Sequence, residues 1–350
     1  MNKSVGIKEI AELAGVSIGT VDRVLHNRPG VSKKTSLLIH DVIKKTGYKK
    51  NNAASRLKLA QYNKIKIAVL LPIESLLKEH YWFLPLKGIQ TAVQELVDYG
   101  VNYTLLTFKM SDAQSFENQV QTITQSDFNA IITVPYFYNE SRTLLQEAKK
   151  IKIPVVFIDT HQEFNEDNYS IFQDSHKSGT VAARILHRII GDKGNYLVIN
   201  LNNKNTEVQD NMKKREEGFR SYFLNNKKSI LSKIETLSTN VKNLNVFNLK
   251  LQDLLKSNEN LGIFVTNSRA YLLPPLLSSE QSKNVTLVGY DLNERNLNLL
   301  KEDKIHFLLH PQPENQGSNA AKGLFKLLTE NEDNSLHLTI PVEIFIKENL

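Results

Sequence analysis

The sequence predicts a small all-α helix-turn-helix head, a short hinge and a large α/β domain built on doubly wound parallel sheets. Three observations lead to this fold class. Residues 1–64 hold thirteen Lys and Arg against four Asp and Glu, whereas the 350-residue chain has a net charge of +7, so the remainder carries −2. Apolar residues recur at helical spacing in the first sixty residues, and from residue 64 short apolar runs alternate with amphipathic stretches. We place the head at 1–50, the hinge at 51–63 and the large domain at 64–350.

The composition is ordinary for a globular protein and excludes several classes of site. The hydrophobic fraction is 41% and the charged fraction 23%. The chain has no cysteine, which excludes disulfides and thiolate metal sites. An apolar signal region and a run of about 18 apolar residues are both missing, so we expect a cytoplasmic protein with no membrane segment. Phosphate-loop, dinucleotide and zinc motifs are also missing, and the nine His are scattered, so we expect no catalytic residues, no metal and no cofactor.

The head is predicted to be three helices around a tight turn. Gly15 permits a left-handed turn after the first helix because it has no Cβ to clash with the backbone. Ser17 and Ser32 are expected to cap the second and third helices by accepting a backbone N–H, and Gly47 to end the third. The apolar residues expected to pack inward are Ile7, Ile10, Ala11, Ala14, Val21, Val24, Leu25, Leu38, Ile39, Val42 and Ile43.

The second helix of such a unit lies in the DNA major groove, with its N-terminal residues facing the base edges. Ile18 and Gly19 are expected to sit deepest, and Thr20 to bond a phosphate. Arg23 can pair with guanine or contact a phosphate. Because the basic excess is confined to this segment, binding to double-stranded DNA should weaken as salt rises.

The head resembles that of the LacI (lac repressor) family of bacterial transcription regulators from Ile7 to Leu57. The matching strings are Ala14-Gly-Val-Ser17, Thr20-Val21, Arg23-Val-Leu25, Arg28-Pro-Gly-Val-Ser32, Gly47-Tyr48 and Asn51-Asn-Ala-Ala-Ser-Arg-Leu57. Two positions depart from the family. Asp22 replaces the usual Ser and Lys50 the usual Pro. Asp22 could accept a hydrogen bond from a cytosine amine. Alternatively, its carboxylate caps the helix or forms a local ion pair with Arg23 or Arg28.

The resemblance implies a set of DNA-contacting residues and a role for the hinge. The residues are Ser17, Ile18, Gly19, Thr20, Asp22, Arg23, Asn27, Arg28, Lys33, Asn51, Ala54 and Leu57. In the family the hinge becomes helical on the operator, and a Leu from each subunit wedges between base pairs of the minor groove. Leu57 aligns with that Leu. The alternative is an ordinary flexible linker.

The large domain is predicted from alternating strands and helices. The strand candidates are 65–71, 101–106, 130–134, 155–158, 195–199, 261–265, 285–288 and 305–309. Helical patterns cover 88–98, 141–150 and 178–190. Nearly continuous apolar strands of this kind form parallel sheets covered on both faces, and two such units bind ligand in the cleft at the carboxyl ends of their strands.

This part resembles the LacI-family effector domain, which is periplasmic-binding-protein-like. The most specific strings are Pro154–Asp159, Arg215–Phe219, Val288–Asp291 and Ile340–Asn349. The resemblance implies two subdomains, at about 64–160 with 292–322, and at about 161–291 with 323–350.

The resemblance also implies an effector site. The implied contacts are Tyr81, Trp82, Asp159, Arg215, Asn267, Asp291 and Gln312. Carboxylates, a forked guanidinium and an amide suit sugar hydroxyls, which both donate and accept. Trp82 is alternatively a packed core or rim aromatic, and Asp291 alternatively a helix N-cap. Pro311 occupies the place of a usual Gln, and Gln312 is the candidate substitute.

Together these observations favour a regulator, acting as a repressor, with a palindromic operator, a carbohydrate effector and a homodimeric state. A transport-type sugar-binding protein would explain only residues 64–350 and would need a signal peptide. A sugar-modifying enzyme would need a nucleophile or base with a partner, which the sequence does not offer.

Overall fold

The computed structural model describes residues 7–25, 29–46, 64–164, 166, 168–202, 210–225, 233–240, 244–256 and 260–350. The chain divides between residues 61 and 62 into two compact units, the head and the effector domain. Within the described residues no helix is long and apolar enough to cross a membrane.

The described part of the head consists of helices α1 (Ile7–Leu13), α2 (Ile18–Leu25) and α3 (Lys33–Thr46). Gly15 has φ +62° in the turn, and the hydroxyl oxygens of Ser17 and Ser32 each accept a backbone N–H at 3.1 Å, as predicted. The buried core is Ile10, Ala11, Ala14, Val21, Val24 and Ile39.

The prediction that Leu38 of the head packs inward is wrong. Leu38 is 47% exposed, because the inward face of α3 is taken by Ile39, with Val42 and Ile43 packed behind it. Gly47 lies outside the described residues.

The effector domain contains two sheets among its described residues, with strands numbered in chain order. The first has the order β11-β5-β4-β3-β1-β2, with every pair parallel. The second has the order β12-β10-β9-β8-β6-β7, parallel except for the β10–β12 pair. The strands are β1 (Ile65–Pro72), β2 (Val101–Phe108), β3 (Ala130–Thr133), β4 (Val155–Asp159), β5 (Tyr169–Gln173), β6 (Asn195–Asn202), β7 (Lys233–Asn240), β8 (Leu261–Val265), β9 (Val285–Tyr290), β10 (Phe307–His310), β11 (His337–Ile340) and β12 (Glu343–Phe345).

Helices cover both sheets, because the central strands are apolar on both faces. The whole of β3 and of β8 is buried, as expected for parallel strands between helical layers. The helices are α4 (Phe83–Glu95), α5 (Ala113–Thr124), α6 (Tyr138–Lys150), α7 (Ser175–Ile190), α8 (Asp210–Leu224), α9 (Leu244–Lys256), α10 (Ser279–Lys283), α11 (Glu294–Lys301) and α12 (Pro313–Glu330).

Sheet membership corrects the predicted subdomain boundaries. Strand β5 pairs with β4 and belongs to the first subdomain, although it lies beyond residue 160. Helix α11 leads into β10, which pairs with β9, so residues 292–310 belong to the second subdomain. Strand β11 returns to the first sheet and β12 to the second, so residues 323–340, predicted for the second subdomain, end in a strand of the first. The chain therefore crosses between subdomains near residues 174, 311 and 341.

Candidate functional site

Two aspartates end equivalent strands, one in each subdomain. Asp159 closes β4 and Asp291 follows β9, and both have left-handed backbone torsions, with φ of +74° and +67°. Asp tolerates this conformation better than most residues, and such positions concentrate at functional sites. The two carboxyl groups interact electrostatically, so the strand ends meet at one cleft.

In the first subdomain, both the carboxylate and the backbone N–H of Asp159 form hydrogen bonds. Its carboxylate accepts the hydroxyls of Tyr81 and of Thr160, the second at 2.8 Å. Its backbone N–H donates to the buried side chain of Gln316 at 2.8 Å, and Gln316 donates to the carbonyl of Pro311 at 2.8 Å. Helix α12 thereby fixes both the strand end and the crossover segment.

The second subdomain presents Arg215, which is only 7% exposed. Its Nη1 donates to the carbonyl of Thr266 at 2.8 Å, and its guanidinium carbon lies 3.7 Å from the ring centroid of Tyr290. Its buried Nε has no hydrogen-bond partner among the described residues, and the same holds for Oδ1 of Asp291. A buried donor and a buried acceptor are therefore both unused at the cleft.

Burial controls the electrostatics of this cluster. Removal from water raises the pKa of Asp291 from 3.8 to about 6, partly offset by Arg215 and reinforced by Asp159. Burial also raises the pKa of Asp159, against the hydrogen bonds from Tyr81 and Thr160. The pKa of Tyr81 is raised well above 10 by burial and by the two carboxyls. The cluster thus holds two carboxyl groups around one guanidinium.

Further contacts close the cleft around the cluster. Lys214 Nζ donates to the carbonyl of His161 at 3.2 Å, and Gln162 Nε2 donates to Asp210 Oδ2 at 3.4 Å. Both bonds join the loop after β4 to the first turn of α8. On the side of the β1–α4 loop, burial lowers the pKa of His80, as does the charge of Arg269 from the other subdomain.

The structure brings together four of the seven predicted effector residues, namely Tyr81, Asp159, Arg215 and Asp291. Trp82 is 8% exposed within the core of the first subdomain, with its ring edge-on to that of Tyr81 at 5.2 Å.

Asn267 and Gln312 use their side-chain amides elsewhere. Asn267 donates to the carbonyl of Leu201 at 2.7 Å and accepts the N–H of Arg269 at 3.2 Å. Gln312 donates to the carbonyl of Pro341 at 2.8 Å and accepts from Asn315 at 3.0 Å, so it ties two crossover segments together. The effector roles of both stay predictions.

Sequence reasoning missed the residues that support the cluster. Thr160 and Gln316 form hydrogen bonds with Asp159. Thr266 and Tyr290 contact Arg215 directly. Ser178 contacts Tyr290 and so reaches Arg215 through it. A signal existed for Tyr290 and Thr160, which are adjacent to the predicted aspartates. Gln316 and Ser178 lie in helices far along the chain, and only the packing reveals them.

Seven of the predicted DNA-contacting residues lie in the described part of the head, and five of these are exposed. Ser17, Gly19, Arg23 and Lys33 are exposed, and Ile18 is 48% exposed. Thr20 and Asp22 are half-buried, and Thr20 pairs with Ser17 through their hydroxyls at 2.9 Å. Asn27, Arg28, Asn51, Ala54 and Leu57 lie outside the described residues, so their roles stay predictions.

Glycine at position 19 has no packing explanation. Among the described residues, a Cβ added there would meet only the Ser17 hydroxyl oxygen, at 3.8 Å. The backbone of α2 is therefore bare on its outer face, where a second molecule can approach closely.

Two family models match the chain. Residues 75–332 match the periplasmic binding protein domain, and residues 6–51 match the bacterial regulatory proteins of the lacI family.

Relatives of the chain include regulators of the same architecture. The ribose operon repressor of Lactococcus lactis is 20% identical, over 98% of this chain and 97% of its own. Catabolite control protein B of Bacillus subtilis is 42% identical over 66 residues, which are 19% of this chain and 21% of that protein. A crystal structure described as a LacI transcriptional regulator of Bacteroides fragilis is 26% identical with a TM-score of 0.69, covering 82% of this chain and 98% of that one. Because a lacI-type head is followed along the sequence by a periplasmic-binding-protein domain, the chain belongs to the LacI family of DNA-binding transcriptional regulators and is not an enzyme.

Proposed function

We propose that this regulator is a repressor whose operator affinity is changed by a sugar or sugar derivative bound between Tyr81 and Asp159 on one side and Arg215 and Asp291 on the other. The name of the ribose operon repressor, which matches along nearly the whole chain, supports this class of effector. In this proposal Asn267 and Gln312 complete the site by exchanging their present bonds, to the carbonyls of Leu201 and Pro341, for bonds to the sugar.

The observation that carries this proposal is the pair of unused buried polar atoms at the cleft. Within the part of the chain that the structure describes, Arg215 Nε is a donor without an acceptor, and Asp291 Oδ1 is an acceptor without a donor. A sugar hydroxyl can accept from the first and donate to the second, since each hydroxyl is both donor and acceptor. Leaving such atoms unpaired is costly, so a ligand that pairs both of them gains affinity.

For the DNA side we propose a homodimer that places two heads on a palindromic operator in the cytoplasm. Ile18, Gly19 and Arg23 would face the bases, and Leu57 would wedge into the minor groove. Effector binding would favour one arrangement of the two subdomains and so change the spacing of the hinges. The coupling must be reciprocal, because an effector that weakens operator binding is itself bound less well on operator.

A sugar titration tests the effector site. The full chain is titrated with D-ribose and a panel of neutral pentoses, hexoses and disaccharides, while the fluorescence of Trp82, the single tryptophan, is followed. Trp82 reports on the site because its ring contacts that of Tyr81.

The diagnostic variant is Arg215→Lys, which keeps the charge but removes the Nε donor of the fork. Its matched control is Arg188→Lys, at an exposed position of α7. We expect a panel sugar to bind the wild type and the control equally, and Arg215→Lys at least tenfold more weakly. Equal binding by all three proteins would contradict the proposed site, and no binding by any of them would contradict the sugar assignment.

A further inference from the structure

We propose that Ser178 and Gly179, two neighbouring residues of α7, position Arg215 for effector binding. Ser178 acts on the guanidinium through Tyr290, and Gly179 acts on the backbone of Arg215 itself. The inference rests on the proposed effector role of Arg215, whereas the two residues lie in a different helix from any predicted contact.

The first contact is a directed hydrogen-bond chain. The Tyr290 hydroxyl donates to Ser178 Oγ, and the Ser178 hydroxyl donates to the carbonyl of Ser175 at 2.9 Å. Because the single hydroxyl proton of Ser178 is already given to Ser175, its oxygen can only accept from Tyr290. The chain therefore fixes the tilt of the Tyr290 ring.

That ring is the surface on which the Arg215 guanidinium rests, 3.7 Å from guanidinium carbon to centroid. Ser178 and Tyr290 are both fully buried, so water cannot easily replace a lost partner. Removal of the Ser178 hydroxyl should let the ring turn, and the guanidinium with it. The Nε donor offered to the cleft would then point in a different direction.

The second contact is between backbones. A Cβ added at Gly179 would lie 1.9 Å from the carbonyl oxygen of Arg215, and one added at Gly218 would lie 1.8 Å from that of His176. Contacts of a Cβ below 3.0 Å essentially do not occur, so a side chain at position 179 must push α8 away by about 1 Å or more. The glycine thus sets the depth of Arg215 in the cleft.

A displacement of this size matters for recognition. Binding constellations need their groups within roughly 0.5 Å of the productive geometry. Helices α4 and α12 of the first subdomain have an equivalent contact, where a Cβ at Gly88 would lie 1.9 Å from the carbonyl oxygen of Glu314. Gly88→Ala therefore imposes the same clash away from Arg215 and serves as a matched control for Gly179→Ala.

The test measures Arg215 directly, without an effector. The Nε–Hε correlation of Arg215 is recorded by NMR on the full chain with labelled arginine and is assigned by its loss in Arg215→Lys. Because the guanidinium lies over the Tyr290 ring, we expect this proton to be shifted upfield by the ring current. Ser178→Ala and Tyr290→Phe should each move it downfield, and the double variant should move it no further than either.

The controls separate positioning from general loosening of the fold. Ser141→Ala removes another fully buried helical serine hydroxyl, one without a partner among the described residues, and should leave the signal in place. Gly179→Ala should shift the signal further than Gly88→Ala, whose clash reaches Arg215 only indirectly, through Gln316 and Asp159. If Gly179→Ala does not fold, Ser178→Ala and Tyr290→Phe still test whether Arg215 is positioned through Tyr290.

The outcomes are distinct from those of the sugar titration. For a panel sugar that the wild type binds, Ser178→Ala should weaken binding about five- to tenfold, as for one lost hydrogen bond. An unchanged Arg215 signal in both Ser178→Ala and Tyr290→Phe, or an equal shift in Ser141→Ala, would overturn the positioning role. A failure of all sugars to bind would count against the proposed effector and would leave the NMR result intact.

Discussion

Replacement of Asp291 by Asn should stabilise the unliganded effector domain while impairing its function. Burial raises the pKa of this carboxyl from 3.8 to about 6. At about 1.4 kcal/mol per unit, the ionised carboxyl costs the native state up to roughly 3 kcal/mol. Asn is neutral, nearly the same size, and tolerates the φ of +67° at this position. The free energy of unfolding at pH 7.5 should therefore rise by up to about 3 kcal/mol.

The sign of the pH dependence follows from the raised pKa. Between pH 4 and 6 the native carboxyl holds its proton while the unfolded one has lost it, so the native state binds more protons. For this group, the free energy of unfolding of the wild type falls as pH rises from about 4 to 6 and is level above 6. Asp291→Asn lacks this contribution, so the stabilities of the two proteins should converge as pH falls towards 4.

Urea unfolding of the full chain, followed by Trp82 fluorescence at several pH values, measures both effects. The matched control is Asp98→Asn, at an exposed position, which should change stability by no more than about 0.5 kcal/mol. The reasoning is refuted if Asp291→Asn is no more stable than the wild type at pH 7.5, or if the same stability gain persists at pH 4. The stabilised variant should also bind effector more weakly, because its neutral amide oxygen accepts a hydrogen bond from a sugar hydroxyl less strongly than the carboxylate oxygen does.

Three other substitutions test the supporting residues and the head. Gln316→Ala strips two buried bonds, one from the N–H of Asp159, and should lower the free energy of unfolding by about 2–4 kcal/mol in urea. Gly19→Ala should raise the thermal stability of the head by up to about 1 kcal/mol yet weaken operator binding in a gel-shift assay, because its methyl group occupies the outer face of α2. Leu57→Ala should leave head melting unchanged and sharply reduce operator affinity. Undiminished affinity would remove the wedge hypothesis.

The sequence was most informative where local chemistry decides the structure. Apolar runs marked eight strands, and strands such as β3 and β8 are buried along their whole length. The turn at Gly15 and the caps at Ser17 and Ser32 depend on single residues and could be predicted individually. The aspartates at the ends of β4 and β9 were identified through the resemblance to the family's effector domain, in strings that close two of these apolar runs.

Features that depend on distant packing could not be predicted. Strands β7 and β11 lie at sheet edges and carry polar residues, and β5 is short and mixed, so none shows a continuous apolar run. The three crossovers between subdomains leave no local periodicity, which explains the misplaced boundaries. The amide of Gln316 and the close approach at Gly179 involve partners 157 residues and 36 residues away in the chain.

The central claim is that a ligand in the cleft changes the affinity of the head for its operator. A labelled duplex library is first selected with the purified full chain at two salt concentrations, and the bound fraction is sequenced. The dissociation constant of the selected duplex is then measured with and without a bound panel sugar. We predict a palindromic consensus and a change of about 5- to 150-fold on adding sugar, mirrored by the same change in sugar affinity on operator. Operator and sugar affinities that are independent of each other would contradict the account.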